Sequence, residues 1–217
     1  MSVDVKFCGL TRAEDANHAV ALGAAYVGVI FASGPRLLSP ERAAIVLADV
    51  PETVKRVGVF GEQSADEILS AARIAGLDVI QLHGAHDASR IAELRAGFGG
   101  EIWPVVRVAN DSLPANFAEL VAQGDGVLLD ALVPGVLGGT GVTLAWEALA
   151  AALAGVRGDT RVVLAGGLRP ENVAQAAAAM SPDVVDVSSG VESAPGIKDH
   201  QRMRDFRDAV AHVSTPT

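Results

Sequence analysis

The chain has 217 residues and a formal net charge of −9; half of it is hydrophobic and only 4% is aromatic. That length suffices for one substantial core, while Lys and Arg, outnumbered 17 to 26 by Asp and Glu and nowhere in a run, exclude a nucleic-acid footprint but not an anionic small molecule. Cys8 is the only cysteine, which excludes an intrachain disulfide and a multi-cysteine metal site.

Val3 to Phe7 reads as a buried strand, followed by a helix over Thr11 to Leu22, with Thr11 as its expected N-cap, that ends at Gly23. Tyr26 to Phe31 is a second strand; a loop with Gly34, Pro35 and Arg36 leads to Ser39, which caps a helix opening on Pro40. The unit then repeats: strand Val54 to Phe60 with helix Ser64 to Ala75, strand Val79 to Leu82 with helix Asp87 to Arg95, and strand Glu101 to Val106 with a helix around Pro114 to Val121. Strand Gly126 to Leu129 precedes a glycine-rich loop and a helix over Thr143 to Leu153. Strands Arg161 to Leu164 and Val184 to Val187, with helices Pro170 to Met180 and Asp199 to Val210, complete the series.

Eight such units with no composition break predict an α/β chain folded as a single (β/α)8 barrel over residues 1–212, with a short tail at 213–217. A doubly wound open sheet is the competing architecture, yet no GxGxxG follows the first strand. No apolar stretch reaches about 18 residues, and the opening MSVDVKFCGL lacks a basic segment followed by an apolar one, so a soluble, cytoplasmic chain with no membrane partner is expected.

In a barrel the residues after each strand share one rim, which turns scattered positions into one site. The first strand gives Lys6 and Cys8, the loop of the second gives Arg36, the fourth gives Gln81 and His83, and the sixth gives Asp130. Glycine-rich turns at Gly138-Gly139-Thr140-Gly141, Gly166-Gly167 and Ser188-Ser189-Gly190 offer backbone N–H groups to a phosphate. Taken singly each residue also has a plain reading: Cys8 as a small core side chain, Asp130 as a cap or ion pair, His83 as a structural histidine, Arg36 as a solvated surface cation.

The ordered set Lys6-Phe7-Cys8-Gly9-Leu10-Thr11, Gly34-Pro35-Arg36, Gln81-Leu82-His83-Gly84, Leu128-Leu129-Asp130, Gly138-Gly139-Thr140-Gly141, Ala165-Gly166-Gly167-Leu168, Asp186-Val187-Ser188-Ser189-Gly190-Val191-Glu192 and Pro195-Gly196-Ile197-Lys198-Asp199 resembles the phosphoribosylanthranilate isomerase family along nearly the whole chain. The resemblance implies a (β/α)8 barrel of tryptophan biosynthesis that performs an Amadori rearrangement without cofactor or metal, as a monomer or homodimer. It implies Cys8 as general base and Asp130 as general acid; Arg36, with Lys6, Gln81 and His83 in the pocket, for the anthranilate carboxylate; and Gly139, Thr140, Gly141, Gly166, Gly167, Ser188, Ser189 and Gly190 for the phosphate. Such chemistry asks that burial hold a proton on Asp130 and that nearby positive charge, with Lys6 the candidate, lower the Cys8 thiol. Gly34 and Ala145 depart from the family's frequent Ser and Asp.

Three alternatives have distinct signatures. The related isomerase of histidine biosynthesis would carry an Asp in place of Cys8. A Schiff-base lyase would need a strand lysine, a place that only Lys6 holds. A barrel that merely binds a sugar phosphate would keep the glycines and lack Cys8 or Asp130.

Overall fold

The structure, a computed structural model, describes residues 3–84, 87–108, 113–114, 117–131, 149–151, 153–155 and 158–213. Alternation of side chains along short strands is what builds it. The strands are β1 (Asp4–Phe7), β2 (Tyr26–Ile30), β3 (Lys55–Phe60), β4 (Val79–Leu82), β5 (Glu101–Val108), β6 (Gly126–Ala131), β7 (Arg161–Ala165) and β8 (Val184–Val187). Each pairs in parallel with the next, and β8 returns to β1, so the sheet closes into the expected (β/α)8 barrel.

Outward residues such as Val5, Phe7, Val27, Val29, Ile80, Leu82, Val127, Leu129, Val185 and Val187 join the helices in one apolar layer. Inward residues Tyr26, Val57, Val79, Trp103, Val105, Leu128, Val163 and Val184 fill the barrel as a second cluster. The same alternation that turns Val5 and Phe7 outward turns Lys6 inward, and Cys8 continues that face.

The covering helices are α1 (Ala13–Ala21), α2 (Pro40–Val46), α3 (Ala65–Ala75), α4 (Ala88–Gly97), α5 (Phe117–Gln123), α6 (Val173–Met180) and α7 (His200–Ala211). Ser39 caps α2 with Pro40 at its first position, as expected, and Ser64 with Glu67 forms a reciprocal capping box on α3. Two starts differ from the sequence reading. Thr11 does not cap α1, because its hydroxyl donates to Gly196 O at 2.5 Å; Arg12 holds the cap position without a side-chain bond. The helix expected from Pro170 begins at Val173, since Asn172 Oδ1 accepts from Arg169 N and Asn172 Nδ2 donates to Gly167 O, tying the preceding residues into a turn.

After β8 comes a feature the periodicity did not show: a one-turn 3-10 helix at Ser189–Val191 and an antiparallel ribbon of β9 (Glu192–Ala194) and β10 (Ile197–Lys198). Of the helix expected over Thr143 to Leu153, residues 149–151 and 153 are helical, with Leu149 and Leu153 buried. Its beginning, the loop bearing Gly138, Gly139, Thr140 and Gly141, Ala145, and tail residues 214–217 lie outside the described residues. Among the described residues no helix is long and apolar enough to cross a membrane.

Candidate active site

Lys6 is fully buried inside the barrel, where an unpaired ammonium is untenable. It is held by two neighbours: Asp186 Oδ2, at 2.9 Å, and Gln81 Oε1, also at 2.9 Å. Asp186 stands directly beside it in the β1–β8 register. Burial is the largest influence and pulls the Lys6 ammonium down, but the charges and hydrogen bonds of Asp186 and Cys8 together leave the group above its ordinary value. Lys6 is thus committed to the barrel wall, with Gln81 and Asp186 between it and the ligand space. The second oxygen of Asp186, Oδ1, is buried and has no hydrogen-bond partner among the described residues.

Above this pair sits Cys8. Gly28 on β2 makes room for it, since a Cβ there would lie 3.0 Å from the sulfur. The sequence expectation of a lowered thiol is corrected here: burial dominates and pushes the Cys8 thiol above its ordinary value, against the lowering influence of Lys6 and Lys198. Lys6 acts in the expected direction, but Asp186 offsets it from the same side.

Cys8, Gln81, His83, Asp130, Asp186, Ser188 and Ser189, with Gly166 and Gly167, line one cavity of about 210 Å³ at the carboxyl ends of the strands. Asp130 comes from β6, and His83 Nε2 approaches its Oδ2 to 3.9 Å. Gly166 and Gly167 both have positive φ, at 96° and 63°, a turn that a side chain would strain. Gly190 is not among the residues lining the cavity; a Cβ there would overlap the Leu168 carbonyl, so its lack of a side chain lets the β7 and β8 loops touch. Gly139, Thr140 and Gly141 lie outside the described residues.

Arg36 is half-buried and paired rather than a free surface cation. Its Nε and Nη2 donate to the two oxygens of Glu192 at 2.7 and 2.5 Å, and Lys198 Nζ donates to Glu192 Oε1 at 2.9 Å. Burial pushes the Glu192 carboxyl up, but the hydrogen bonds and charges of both cations carry it below its ordinary value. A thiol and a carboxyl facing one cavity, with glycine turns and a cation beside them, can move protons on a small phosphorylated molecule.

Residues 5–209 match the family model of N-(5'-phosphoribosyl)anthranilate isomerase. The chain belongs to this family. It is 44% identical over 207 residues to the N-(5'-phosphoribosyl)anthranilate isomerase of Acidithiobacillus ferrooxidans, covering 94% of this chain and 95% of that one. The crystal structure of phosphoribosylanthranilate isomerase from Thermotoga maritima is similar at 34% identity and a TM-score of 0.83, over 96% of this chain and 98% of that one. A family structure in complex with reduced 1-(o-carboxyphenylamino)-1-deoxyribulose 5-phosphate is similar at 32% identity and a TM-score of 0.80, over 96% of this chain and 98% of that one.

In this isomerase-family barrel the sequence reading singled out most of the polar cavity residues but gave no role to three others: Asp186, which also lines the cavity, and Glu192 and Lys198. Asp186 had a usable signal, a single carboxylate inside the strand Val184-Val185-Asp186-Val187, facing the equally isolated Lys6. Glu192 and Lys198 stood within the motifs of the resemblance but without a role, because their meeting depends on a ribbon too short for periodicity to register.

Proposed function

We propose that the chain converts N-(5'-phosphoribosyl)anthranilate to 1-(2-carboxyphenylamino)-1-deoxyribulose 5-phosphate in tryptophan biosynthesis, with Asp130 as general acid and Cys8 as general base. The observation that carries this reading is that the two groups, from β6 and β1, line the same cavity as the Gly166-Gly167 and Ser188-Ser189 turns.

Asp130 gives a proton to the furanose ring oxygen, the C1–O bond breaks, and the anthranilate nitrogen lone pair forms the protonated Schiff base. Cys8 then takes the proton from C2, and the C2 electrons flow to the nitrogen to give an enolamine. Proton return at C1 and loss of the O2 proton yield the ketone, with no net redox change and no cofactor needed. The raised thiol means that Cys8 must first release its proton to solvent, and it is the thiolate that takes the C2 proton. The positive charge of the Schiff base, added to those of Lys6 and Lys198, favours the thiolate at the moment it is needed.

The turn N–H groups at Gly166, Gly167, Ser188 and Ser189 hold the phosphate; Gly139, Thr140 and Gly141 belong to the same proposal by resemblance. Arg36 receives the anthranilate carboxylate, while His83 borders the acid. Lys6 and Gln81 contribute through Asp186, whose unpaired Oδ1 accepts from a substrate hydroxyl.

The test is loss of anthranilate fluorescence from freshly generated substrate, measured against its spontaneous decay. Wild type should turn over, and Asp130→Asn should lose about 10²- to 10⁴-fold in kcat. A folded wild type with no activity above background would leave only a phosphate-binding barrel.

A further inference from the structure

Beside the cavity lies a buried cluster of two cations and one anion. Glu192 binds Arg36 with both oxygens, and Lys198 Nζ bridges Glu192 Oε1 to Ser188 O, at 2.9 and 3.0 Å. The Lys198 side chain is fully buried and that of Glu192 is 5% exposed, whereas Arg36 retains 20%. Glu192 and Lys198 face each other across the β9–β10 ribbon. Gly9, at φ +70°, leaves the space through which Arg36 passes: a Cβ there would sit 2.5 Å from Arg36 Cδ.

Two features make this more than a staple for the ribbon. The bond to Glu192 uses the Nε–Nη2 edge of the guanidinium, and the Nη1 side has no hydrogen-bond partner among the described residues. A bidentate Arg–Glu pair by itself is neutral and has little to offer an incoming anion. Lys198 restores a net positive charge to the group, at the cost of burying an ammonium whose affinity for its proton burial has already lowered.

We propose that Glu192 and Lys198 are positioning residues for substrate recognition: Glu192 orients Arg36 so that its free edge meets the anthranilate carboxylate, and Lys198 keeps the cluster attractive to that carboxylate. This rests on the substrate reading given above. The Ser188 carbonyl, held by Lys198, couples the same cluster to the turn assigned to phosphate, so one ribbon sets the distance between the two anionic ends of the ligand.

The experiment compares wild type, Glu192→Gln, Lys198→Met and Arg36→Met in steady-state turnover. It also measures their affinity for two stable ligands: reduced 1-(o-carboxyphenylamino)-1-deoxyribulose 5-phosphate and the same compound lacking the carboxylate. Wild type should prefer the carboxylated ligand by about 30-fold, the scale of a buried charged contact, and Arg36→Met should abolish the preference. Glu192→Gln should cut it to about threefold and raise KM about tenfold, with kcat changed less than about threefold and the decarboxylated ligand bound as before; Lys198→Met should cut the preference alike and also lower kcat, because its charge supports the Cys8 thiolate. Glu192→Asp should recover part of the preference.

Equal losses for both ligands, or failure of both variants to fold, would assign the cluster to stability and overturn the proposal. An active wild type whose preference survives in Glu192→Gln and Lys198→Met would sink the proposal and leave the function standing. An inactive wild type would remove both.

Discussion

The two ends of the barrel use the same kinds of residue to opposite effect. At the amino ends of the strands, Glu101 Oε2 accepts from Trp103 Nε1 at 2.9 Å and from Arg161 Nη1 at 2.7 Å. Arg161 also lies over the Tyr26 ring at 5.9 Å, and Tyr26 packs on Trp103 with centroids 4.9 Å apart. At the carboxyl ends, Asp186 Oδ1 and Ser188 Oγ are buried without partners among the described residues, and Cys8 and Asp130 face open space. Buried polar groups that complete one another stabilise a fold; those left incomplete cost stability and await a ligand. The difference supports the proposal that the substrate sits at the carboxyl ends.

The largest effect that could break this contrast is at Cys8. Cys8→Ala should lose about 10²- to 10⁴-fold in kcat while its unfolding free energy stays within about 1 kcal/mol of wild type, as judged by turnover and urea melts. Trp103→Ala should do the reverse: about 3–5 kcal/mol of stability lost, and kcat of the folded fraction within about twofold. Loss of kcat in folded Trp103→Ala would mean that the closed end reaches into the chemistry.

A smaller effect sharpens the picture through pH. The folded thiol lies above its ordinary value of 9.0, so the contribution of its protonated form is fully present below that value and fades as pH rises through the folded one. The melting-temperature difference between wild type and Cys8→Ser should therefore be flat through neutral pH and move in favour of the variant above about pH 9. A difference that moved in the wild type's favour there would place the thiol below its ordinary value instead.

The smallest change is expected at Glu101→Gln. Its ion pair with Arg161 is partly exposed and the amide keeps an acceptor for Trp103, so the stability loss should be about 1 kcal/mol or less by thermal melts, with activity unchanged.

Much of the barrel was legible because its strands are short apolar runs and its helices carry recognisable starts, as at Ser39-Pro40 and Ser64 with Glu67. Thr11 misled because its hydroxyl is engaged by Gly196, far along the chain. Cys8 and Asp130 could be brought to one cavity from the order of strands alone, since eight parallel strands leave their carboxyl ends on one rim. The electrostatics could not be read in that way. Cys8 looked like a thiol lowered by Lys6, whereas the barrel interior buries both and places Asp186 against the lysine.

The sequence by itself determined the repeated strand–helix unit, the inward and outward faces, and which polar side chains stand at the strand ends, because these follow from local periodicity and residue order. Only the tertiary structure decided which charges neutralise one another. Lys6 with Asp186, Arg36 with Glu192, and Lys198 with Glu192 are pairings across 180, 156 and 6 residues, and two of them span most of the chain. Their strengths depend on burial and distance, quantities that exist only once the sheet has closed.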